Sequence, residues 1–186
     1  MRVIAGTYKG RRLRTVADLT VRPATSRVKG SIFNILQNRI AWPDTRVLDL
    51  FAGSGSLGIE ALSRGAPHAV FVENSKRPLA YLKENIAAMG AEGRSEVIAS
   101  DAFDYLSRPR EPFDIVFADP PYELEVLNRL PSLIFQSGVV APTGYLIIEH
   151  PQQMKFEPSL LWEEAVVRKY GRTVVTFFQS QTLDRP

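Results

Sequence analysis

The stretch RVLDLFAGSGSLGIEAL, residues 46–62, decides the fold of this chain. Its apolar run from Val47 to Phe51 predicts a buried parallel strand, the glycines that follow allow a tight turn, and apolar residues from Leu57 onward begin a helix. A strand, a glycine-rich loop and a helix N-terminus together present unpaired backbone N–H groups to the polar end of a ligand. The stretch therefore predicts a ligand site as well as a fold.

Two classes of ligand use such a loop. Gly53, Gly55 and Gly58 match the dinucleotide fingerprint, and Glu73 falls where an acidic ribose ligand is expected. However, Asp49 lies near the end of the strand, where a carboxylate would repel a pyrophosphate and would suit a cation. S-adenosylmethionine (SAM) carries an ammonium and a sulfonium and no phosphate, so the charge favours SAM. A nicotinamide-dependent oxidoreductase is the less favoured alternative.

The composition limits the function classes further. The 186 residues, 45% of them hydrophobic, can form one sizeable core. The absence of cysteine excludes disulfides, thiolate metal sites and the pyrimidine C5-methyltransferases, whose thiolate adds to the base. With only two histidines we expect no metal centre. No apolar run approaches the roughly 18 residues of a membrane span, so we predict a soluble, cytoplasmic protein with no membrane partner.

Basic residues are concentrated at the N-terminus. Residues 1–40 hold nine Lys or Arg and one acid, a net charge of +8, whereas the other 146 residues hold fourteen basic and nineteen acidic side chains, a net charge of −5. This split predicts an N-terminal segment that binds a polyanion; the alternative is a basic surface without a partner. The side chains we expect to bind RNA are Arg2, Lys9, Arg11, Arg12 and Arg22.

Strands and helices alternate along the rest of the chain. Before the central stretch, residues 2–15 predict a small basic hairpin or arm, and a helix capped by Thr25 or Ser26 is expected to run to Ile40. Beyond it, the pattern predicts strands at 69–72, 95–99, 113–118 and 145–149 and helices at 76–89 and 124–135, the last interrupted or kinked near Pro131. Two closing runs, 161–170 and 172–179, are too close for a helical crossover and predict an antiparallel hairpin.

This order of elements predicts an α/β fold. We expect a doubly wound, Rossmann-like, mostly parallel sheet of seven strands with an antiparallel C-terminal hairpin and a small basic N-terminal extension. Fold and charge together divide the chain into a basic N-terminal arm and helix, residues 1–42, expected to bind the polyanion, and a domain at residues 43–186 that is expected to bind SAM.

Acidic residues follow four predicted strands in succession: Asp49, Glu73, Asp101 and Asp119. Ligands of doubly wound sheets bind beyond the carboxyl ends of the strands, so these side chains should meet at one site. We expect Glu73 to accept both ribose hydroxyls, and Asp101 with the backbone of Ala102 to meet the adenine edge. The alternative for Asp101 is that it caps a helix beginning at Ala102.

The fourth strand ends in Asp119-Pro120-Pro121-Tyr122, the most specific motif of the chain. Two prolines in a row fix the backbone, which then presents its carbonyls to the site. An exocyclic amine of a nucleobase is a poor nucleophile, because its lone pair is delocalised into the ring. The Asp119 carboxylate and the Pro120 carbonyl can each accept one of its N–H groups and aim the lone pair at a sulfonium methyl. Tyr122 can stack on a base turned out of its helix.

These motifs resemble those of the RsmD family, bacterial 16S ribosomal RNA guanine-N2 methyltransferases within the SAM-dependent exocyclic-amine methyltransferases. The resemblance covers nearly the whole chain and lies in RVIAGTYKGRRL, RPATSRVKGSIFNIL, DLFAGSGSLGIEALSRGA, FVEN, ADPPY, the Glu149 strand end and KYGRTVVTFF. It implies a class I methyltransferase fold. The cofactor-binding residues it implies are Asp49, Phe51, Ala52, Gly53, Ser54, Gly55, Glu73, Asn74, Asp101, Ala102, Thr25 and Arg27, and the catalytic residues are Asp119, Pro120, Pro121 and Tyr122.

The same resemblance implies methyl transfer from SAM to guanine N2 of 16S ribosomal RNA in the assembled small subunit, by a monomer. Three positions depart from the family pattern: Ala24, Ser26 and Gly30 stand where Thr, Asp and Glu are expected. The motif chemistry by itself serves guanine, adenine or cytosine, so an adenine-N6 or other amine methyltransferase on a different RNA or DNA remains an alternative. A non-catalytic RNA-binding assembly factor is another. Glu60 is expected to be a surface or capping residue.

Overall fold

The computed structural model describes residues 1–15 and 24–181, with only the backbone at residues 24 and 25. The helices are α1 (Ala24–Leu36), α2 (Ser56–Arg64), α3 (Lys76–Met89), α4 (Ala102–Leu106) and α5 (Leu130–Gln136). The strands are β1 (Arg46–Leu50), β2 (His68–Val72), β3 (Ser95–Ile98), β4 (Phe113–Ala118), β5 (Val140–Pro151), β6 (Trp162–Tyr170) and β7 (Thr173–Ser180). No helix in this described part of the chain has the length and apolar character that a membrane span needs.

The seven strands form one sheet in the order β3-β2-β1-β4-β5-β7-β6. Neighbours from β3 to β5 are parallel, while β7 pairs antiparallel with both β5 and β6. The predicted doubly wound sheet with its antiparallel C-terminal hairpin is therefore confirmed. Because the strand order reverses around β1 and β4, the crevice beyond the carboxyl ends of these two strands is where this fold binds ligands.

Strand β1 is buried on both faces from Val47 to Leu50, as its mostly apolar sequence predicts. Val47 packs into the core on one side of the sheet, and Leu48 and Leu50 pack into the core on the other. Asp49 lies between them and is only 2% exposed. A carboxylate is thus embedded in the centre of the sheet, where ionising it is costly unless something pairs with it.

Helix α1 differs from its prediction at both ends. It begins at Ala24, so Thr25 and Ser26 lie inside its first turn and neither caps it. It ends at Leu36, because the Leu36 carbonyl accepts from the N–H groups of both Arg39 and Ile40 and closes a tighter turn. The buried ring of Phe33, on this helix, packs against Phe117 of β4.

The predicted helix at 124–135 is also wrong in its first half. A short 3-10 turn at Leu127–Arg129 comes first, and α5 begins only at Leu130. Pro131 then falls in the first turn of α5, where a helix needs no N–H donor, so it starts the helix instead of kinking it.

The N-terminal segment, residues 1–15, is docked on α2. A single antiparallel bridge joins Arg2 to Arg12, which confirms a rudimentary hairpin. Its apolar side chains Val3, Tyr8 and Leu13 are buried in the same core as the helices and the sheet. The expectation for Glu60 was wrong: this residue of α2 is fully buried and its carboxylate accepts from the N–H groups of Ile4 at 2.7 Å and Ala5 at 3.0 Å.

Candidate active site

The glycine loop between β1 and α2 is shaped by three positive φ angles. Phe51, Gly53 and Gly55 have φ values of 64°, 56° and 82°. Gly55 is the residue before the first turn of α2, and a Cβ at this position would lie 2.4 Å from Cδ1 of the buried Leu82. Glycine is therefore required at position 55 by both conformation and space. At Gly53 a Cβ would meet no atom within 4 Å, so the loop leaves open space on that side.

Asp49 holds this loop against the sheet. Its Oδ2 accepts from the backbone N–H of Gly58, in the first turn of α2, at 2.9 Å. One carboxylate oxygen is therefore committed to the loop, whereas the sequence suggested only a carboxylate facing the ligand. Burial raises the pKa of Asp49 to about 8, the Gly58 N–H opposes that rise, and the nearby carboxylates of Asp119 and Glu73 add to it.

Glu73, directly after β2, also binds the backbone. Its Oε2 accepts from the N–H of Gly53 at 2.8 Å and its Oε1 from the N–H of Ser75 at 2.7 Å. Each carboxylate oxygen has further lone-pair capacity. Acceptance of ribose hydroxyls by Glu73 stays a prediction, while its role in joining the glycine loop to the end of β2 is visible.

Asp101 caps α4, which was the alternative considered for it. Its Oδ1 accepts from the N–H groups of Phe103 at 2.8 Å and Asp104 at 3.4 Å. The side-chain amide of Asn74 donates to Asp101 Oδ2 at 3.4 Å. The carboxylate thus satisfies orphan N–H groups of a helix N-terminus.

Two cavities lie beyond the carboxyl ends of the strands and share Phe51. The main cavity has a volume of about 270 Å³ and is lined by Met1, Thr15, Lys29, Ile32, Asp49, Phe51, Ala52, Gly53, Ser54, Ser56, Leu57, Asp119 and Glu149. A smaller cavity of about 20 Å³ is lined by Phe51, Val72, Glu73, Asn74, Ser100 and Ala102. Most of the predicted cofactor residues are therefore brought together along one crevice. Gly55 and Asp101 line neither cavity and act on the local backbone instead.

Asp119 contributes the most exposed carboxylate of this crevice. It follows β4, lines the main cavity and is reached by solvent. The protein packed around it nevertheless raises the pKa of its carboxyl to about 6. Asp119 is therefore mostly ionised at neutral pH and able to accept hydrogen bonds from a ligand.

Tyr122 is joined to the C-terminal hairpin. Its hydroxyl lies 3.1 Å from Oγ1 of Thr173, the first residue of β7, and donates to Oε1 of Glu149 at 3.4 Å. Pro120 is buried, and Pro121 is exposed. The motif is thus fixed at both ends, by β4 before it and by β7 after it.

Sequence reasoning missed several residues of the main cavity, above all Lys29 and Glu149. Lys29, on α1, is 2% exposed, and its Nζ donates to the Arg2 carbonyl at 2.8 Å and lies 3.4 Å from Glu60 Oε2. Burial lowers the pKa of Lys29, and the Glu60 carboxylate partly offsets this effect. A lysine on an amphipathic helix gives no signal of such burial. Glu149 could have been found, since it is an acid that directly follows an apolar run, as Asp119 does.

The remaining predicted residues fall outside the two cavities. Arg22 lies outside the described residues, as does the side chain of Thr25, and Arg27 is exposed on α1. The four other residues predicted to bind RNA, Arg2, Lys9, Arg11 and Arg12, are all exposed on the N-terminal segment. The guanidinium of Arg2 donates to the Gly10 carbonyl at 2.8 Å and that of Arg11 to the Ala88 carbonyl at 2.5 Å.

Comparison with known proteins decides the family. The sequence model of the family described as conserved hypothetical protein 95 matches residues 1–179. Ribosomal RNA small subunit methyltransferase D of Escherichia coli is 36% identical over 149 residues, 80% of this chain and 74% of the relative. The chain belongs to the RsmD family. A Bacillus subtilis relative, named as the candidate rRNA methyltransferase YlbH, is 36% identical over 186 residues, 97% of this chain and all of that protein.

Solved structures agree with this membership of the RsmD family. A candidate methyltransferase from Escherichia coli superposes with a TM-score of 0.84 and 30% identity, covering 97% of this chain and 98% of that one. A candidate methyltransferase solved in complex with S-adenosylhomocysteine shares the fold, with a TM-score of 0.64 and 16% identity over 82% of this chain and 48% of that one. This RsmD-family chain is accordingly a methyltransferase with the class I fold.

Proposed function

We propose that this protein transfers the methyl group of SAM to the exocyclic N2 amine of a guanine in 16S ribosomal RNA, in the assembled small subunit. The observation that carries the proposal is Asp119, the first residue of the Asp-Pro-Pro-Tyr turn, in the same cavity as the glycine loop. The Escherichia coli relative is named as a methyltransferase of small-subunit ribosomal RNA, which supports the substrate class.

The main cavity fits SAM in charge and in shape. Asp49 lines it beside the glycine loop, and a carboxylate at this place suits a ligand that carries two positive charges and no phosphate. The open space beside Gly53 leaves the loop backbone accessible to the ligand. The smaller cavity has room for only about one water molecule. We infer that Phe51 or Asn74 moves when the adenine ring enters beside Glu73.

When bound, SAM supplies an electrophilic methyl group on its sulfonium. The Asp119 carboxylate and the Pro120 carbonyl each accept one N–H of the guanine amine, which orients the nitrogen lone pair along the line of transfer. As the nitrogen–carbon bond forms and the carbon–sulfur bond breaks, Asp119 takes the proton that the amine loses and passes it to solvent. Proximity and orientation of this kind can supply about 7–11 kcal/mol of the barrier.

Tyr122 and the N-terminal segment hold the RNA. The hydroxyl bond of Tyr122 to Thr173 fixes the ring, which can then stack on the extruded guanine with a contribution of about 1–3 kcal/mol. The exposed cations Arg2, Lys9 and Arg12 are available to phosphates. Residues 1–42 thus act as the RNA-binding extension of the catalytic domain at 43–186.

The test is methyl transfer from labelled SAM to small ribosomal subunits that lack native methylation, with naked 16S RNA alongside. After digestion and chromatography, we expect label in N2-methylguanosine and a higher rate on the particle than on the naked RNA. Label in N6-methyladenosine would refute the base assignment, and absence of label with SAM bound would refute the substrate. The Arg12→Glu variant should flatten the salt dependence of the reaction by about one unit of the logarithmic slope.

A further inference from the structure

Glu149 lies beside Asp119 on the neighbouring strand. Strands β4 and β5 are parallel, and Ala118 is paired with Ile148, so the next residues, Asp119 and Glu149, lie side by side beyond the last pair of these two strands. Strand β4 ends there, whereas β5 continues to Pro151 against β7. Neighbouring strands are roughly 4.8 Å apart. Both residues line the main cavity. Two carboxylates therefore stand side by side at the place where the reacting base must enter.

The carboxylate of Glu149 is bonded to Tyr122, whose hydroxyl also contacts the start of β7. The Tyr122 hydroxyl donates to its Oε1 at 3.4 Å and lies 3.1 Å from Oγ1 of Thr173. Thr173 is buried at the start of β7, which pairs with β5 along Leu146–Pro151. Glu149 is itself only partly exposed. Its position is thus defined by the catalytic turn and by the hairpin, as a residue that recognises a substrate requires.

The three bases with exocyclic amines differ in the atom next to the amine. In guanine the neighbour of the N2 amine is N1–H, a donor. In adenine the neighbour of the N6 amine is N1, and in cytosine the neighbour of the N4 amine is N3; both are acceptors. A pair of adjacent carboxylates offers only acceptors when ionised. Such a pair complements the donor–donor edge of guanine and faces a lone pair in the other two bases.

We propose that Glu149 selects guanine by accepting its N1–H, while Asp119 accepts an N–H of the reacting N2 amine. The inference rests on the proposed function and deepens it, because it gives a physical reason for guanine that the Asp-Pro-Pro-Tyr motif alone lacks. A site built to bind a substrate N–H rejects an analogue without it, because the carboxylate then faces a lone pair instead of a donor.

The test uses a base that keeps the amine and loses the neighbouring donor. 2-Aminopurine carries the N2 amine, but its N1 is an acceptor. Small subunits are reconstituted with guanine or 2-aminopurine at the nucleotide that the wild-type enzyme labels. We expect the wild-type enzyme to methylate the guanine particle at least about 100-fold faster, expressed as kcat/KM. This comparison needs no variant and therefore does not depend on the folding of one.

The Glu149→Gln variant should change this preference. Its amide can donate to N1 of 2-aminopurine and no longer offers two acceptors, so we expect guanine transfer to fall by at least about 100-fold and the preference to narrow or reverse. The affinity for SAM should stay within about threefold of the wild type. Glu125→Gln is the matched control: Glu125 is exposed and outside the cavity, and its loss removes the same charge without changing either rate.

Equal wild-type rates on the two particles would overturn the proposal, and so would a Glu149→Gln enzyme that keeps the wild-type preference for guanine. If the wild-type enzyme instead labels no guanine at all, the proposed function fails and this inference fails with it. The two failures are distinguishable, because only the second lacks N2-methylguanosine in the wild-type reaction.

Discussion

The two ends of the active-site crevice use their carboxylates differently. At the loop end, formed by Asp49, Glu73 and Asp101, every carboxylate accepts from backbone N–H groups of the protein itself. At the turn end, formed by Asp119 and Glu149, the acids lie next to each other just beyond the last residue pair of β4 and β5, and Asp119 is exposed to the cavity. The loop end is organised before any ligand arrives, whereas the turn end presents acceptors to one. Changes at the loop end should therefore alter binding and stability, and changes at the turn end should alter catalysis.

The largest effect is expected at the turn end. Asp119→Ala removes the acceptor of the amine N–H and should lower kcat by about 10²–10⁴-fold, because general-base assistance and orientation are both lost. SAM affinity should change by less than about threefold, since the loop end is intact. Single-turnover kinetics and calorimetric titration give the two values. A variant that retains more than about a tenth of the wild-type rate would contradict the assignment.

The same residue predicts a pH dependence of catalysis. Because the pKa of Asp119 is raised to about 6, the carboxyl is protonated below that pH and cannot accept the amine N–H. We expect the rate to rise from pH 5 to pH 7 and then to level off. A profile that is flat over this range would show that Asp119 does not titrate in the reaction.

At the loop end, Asp49→Asn should weaken SAM binding by about tenfold or more and remove its pH dependence. The pKa of Asp49 is about 8 without ligand, so binding of a cationic ligand releases the proton of the Asp49 carboxyl. Wild-type affinity should consequently increase by up to about tenfold per unit between pH 6 and pH 8. Calorimetry in buffers of different ionisation enthalpy measures the proton release directly. Equal pH dependence in both proteins would exclude Asp49 as its source.

Two glycines of the loop allow a comparison within the loop end. Gly55→Ala places a Cβ 2.4 Å from Leu82 Cδ1 at a φ of 82°, and we expect a loss of roughly 2–4 kcal/mol in the free energy of unfolding. Gly53→Ala has a φ of 56° and no steric conflict, so it should cost about 1–2 kcal/mol. Chemical denaturation of both variants tests this order. A larger loss of unfolding free energy for Gly53→Ala than for Gly55→Ala would contradict the open space beside Gly53.

The smallest effect concerns stability without ligand. The raised pKa of Asp49 means that the unfolded chain loses this proton near pH 4 and the folded chain only near pH 8. Asp49 therefore lowers the free energy of unfolding increasingly as the pH rises from about 4 to about 8. Asp49→Asn keeps an acceptor for the Gly58 N–H, so it should be more stable than the wild type at pH 8 and equal to it near pH 4. Thermal unfolding at the two pH values compares them.

Local sequence patterns predicted the elements that they determine by themselves. The apolar run of β1 and the glycine that ends α2 are visible in the sequence, and both are confirmed. The errors occur at the ends of helices, which hydrophobic periodicity does not mark. The helical periodicity beyond Leu36 gave no sign that the Leu36 carbonyl closes the helix, and Pro131 can start a helix or kink one depending on its neighbours.

The site was predictable to the same degree. Strand-end acids could be placed at one edge of the sheet from the order of elements, but not the partners of each oxygen. Glu60 accepts from two backbone N–H groups of the N-terminal segment, more than fifty positions away in the sequence. No hydrophobic periodicity indicates such a contact. The buried Lys29 is paired with the carboxylate of the same Glu60. Neither the Glu60 contacts nor the burial of Lys29 could be inferred from the sequence.

The position of β7 between β5 and β6 bears on how the chain reaches its native state. Among the described strands β6 precedes β7 in the sequence but pairs only with it, so β6 is joined to the sheet solely through β7. Until β7 docks, the apolar edge of β5 at Leu146–Ile148 is open to pairing with other chains. Docking also brings Thr173 to Tyr122. The step that covers this edge is therefore also the step that fixes Tyr122 of the proposed catalytic turn, so we expect a misfolded edge and an inactive enzyme to arise together.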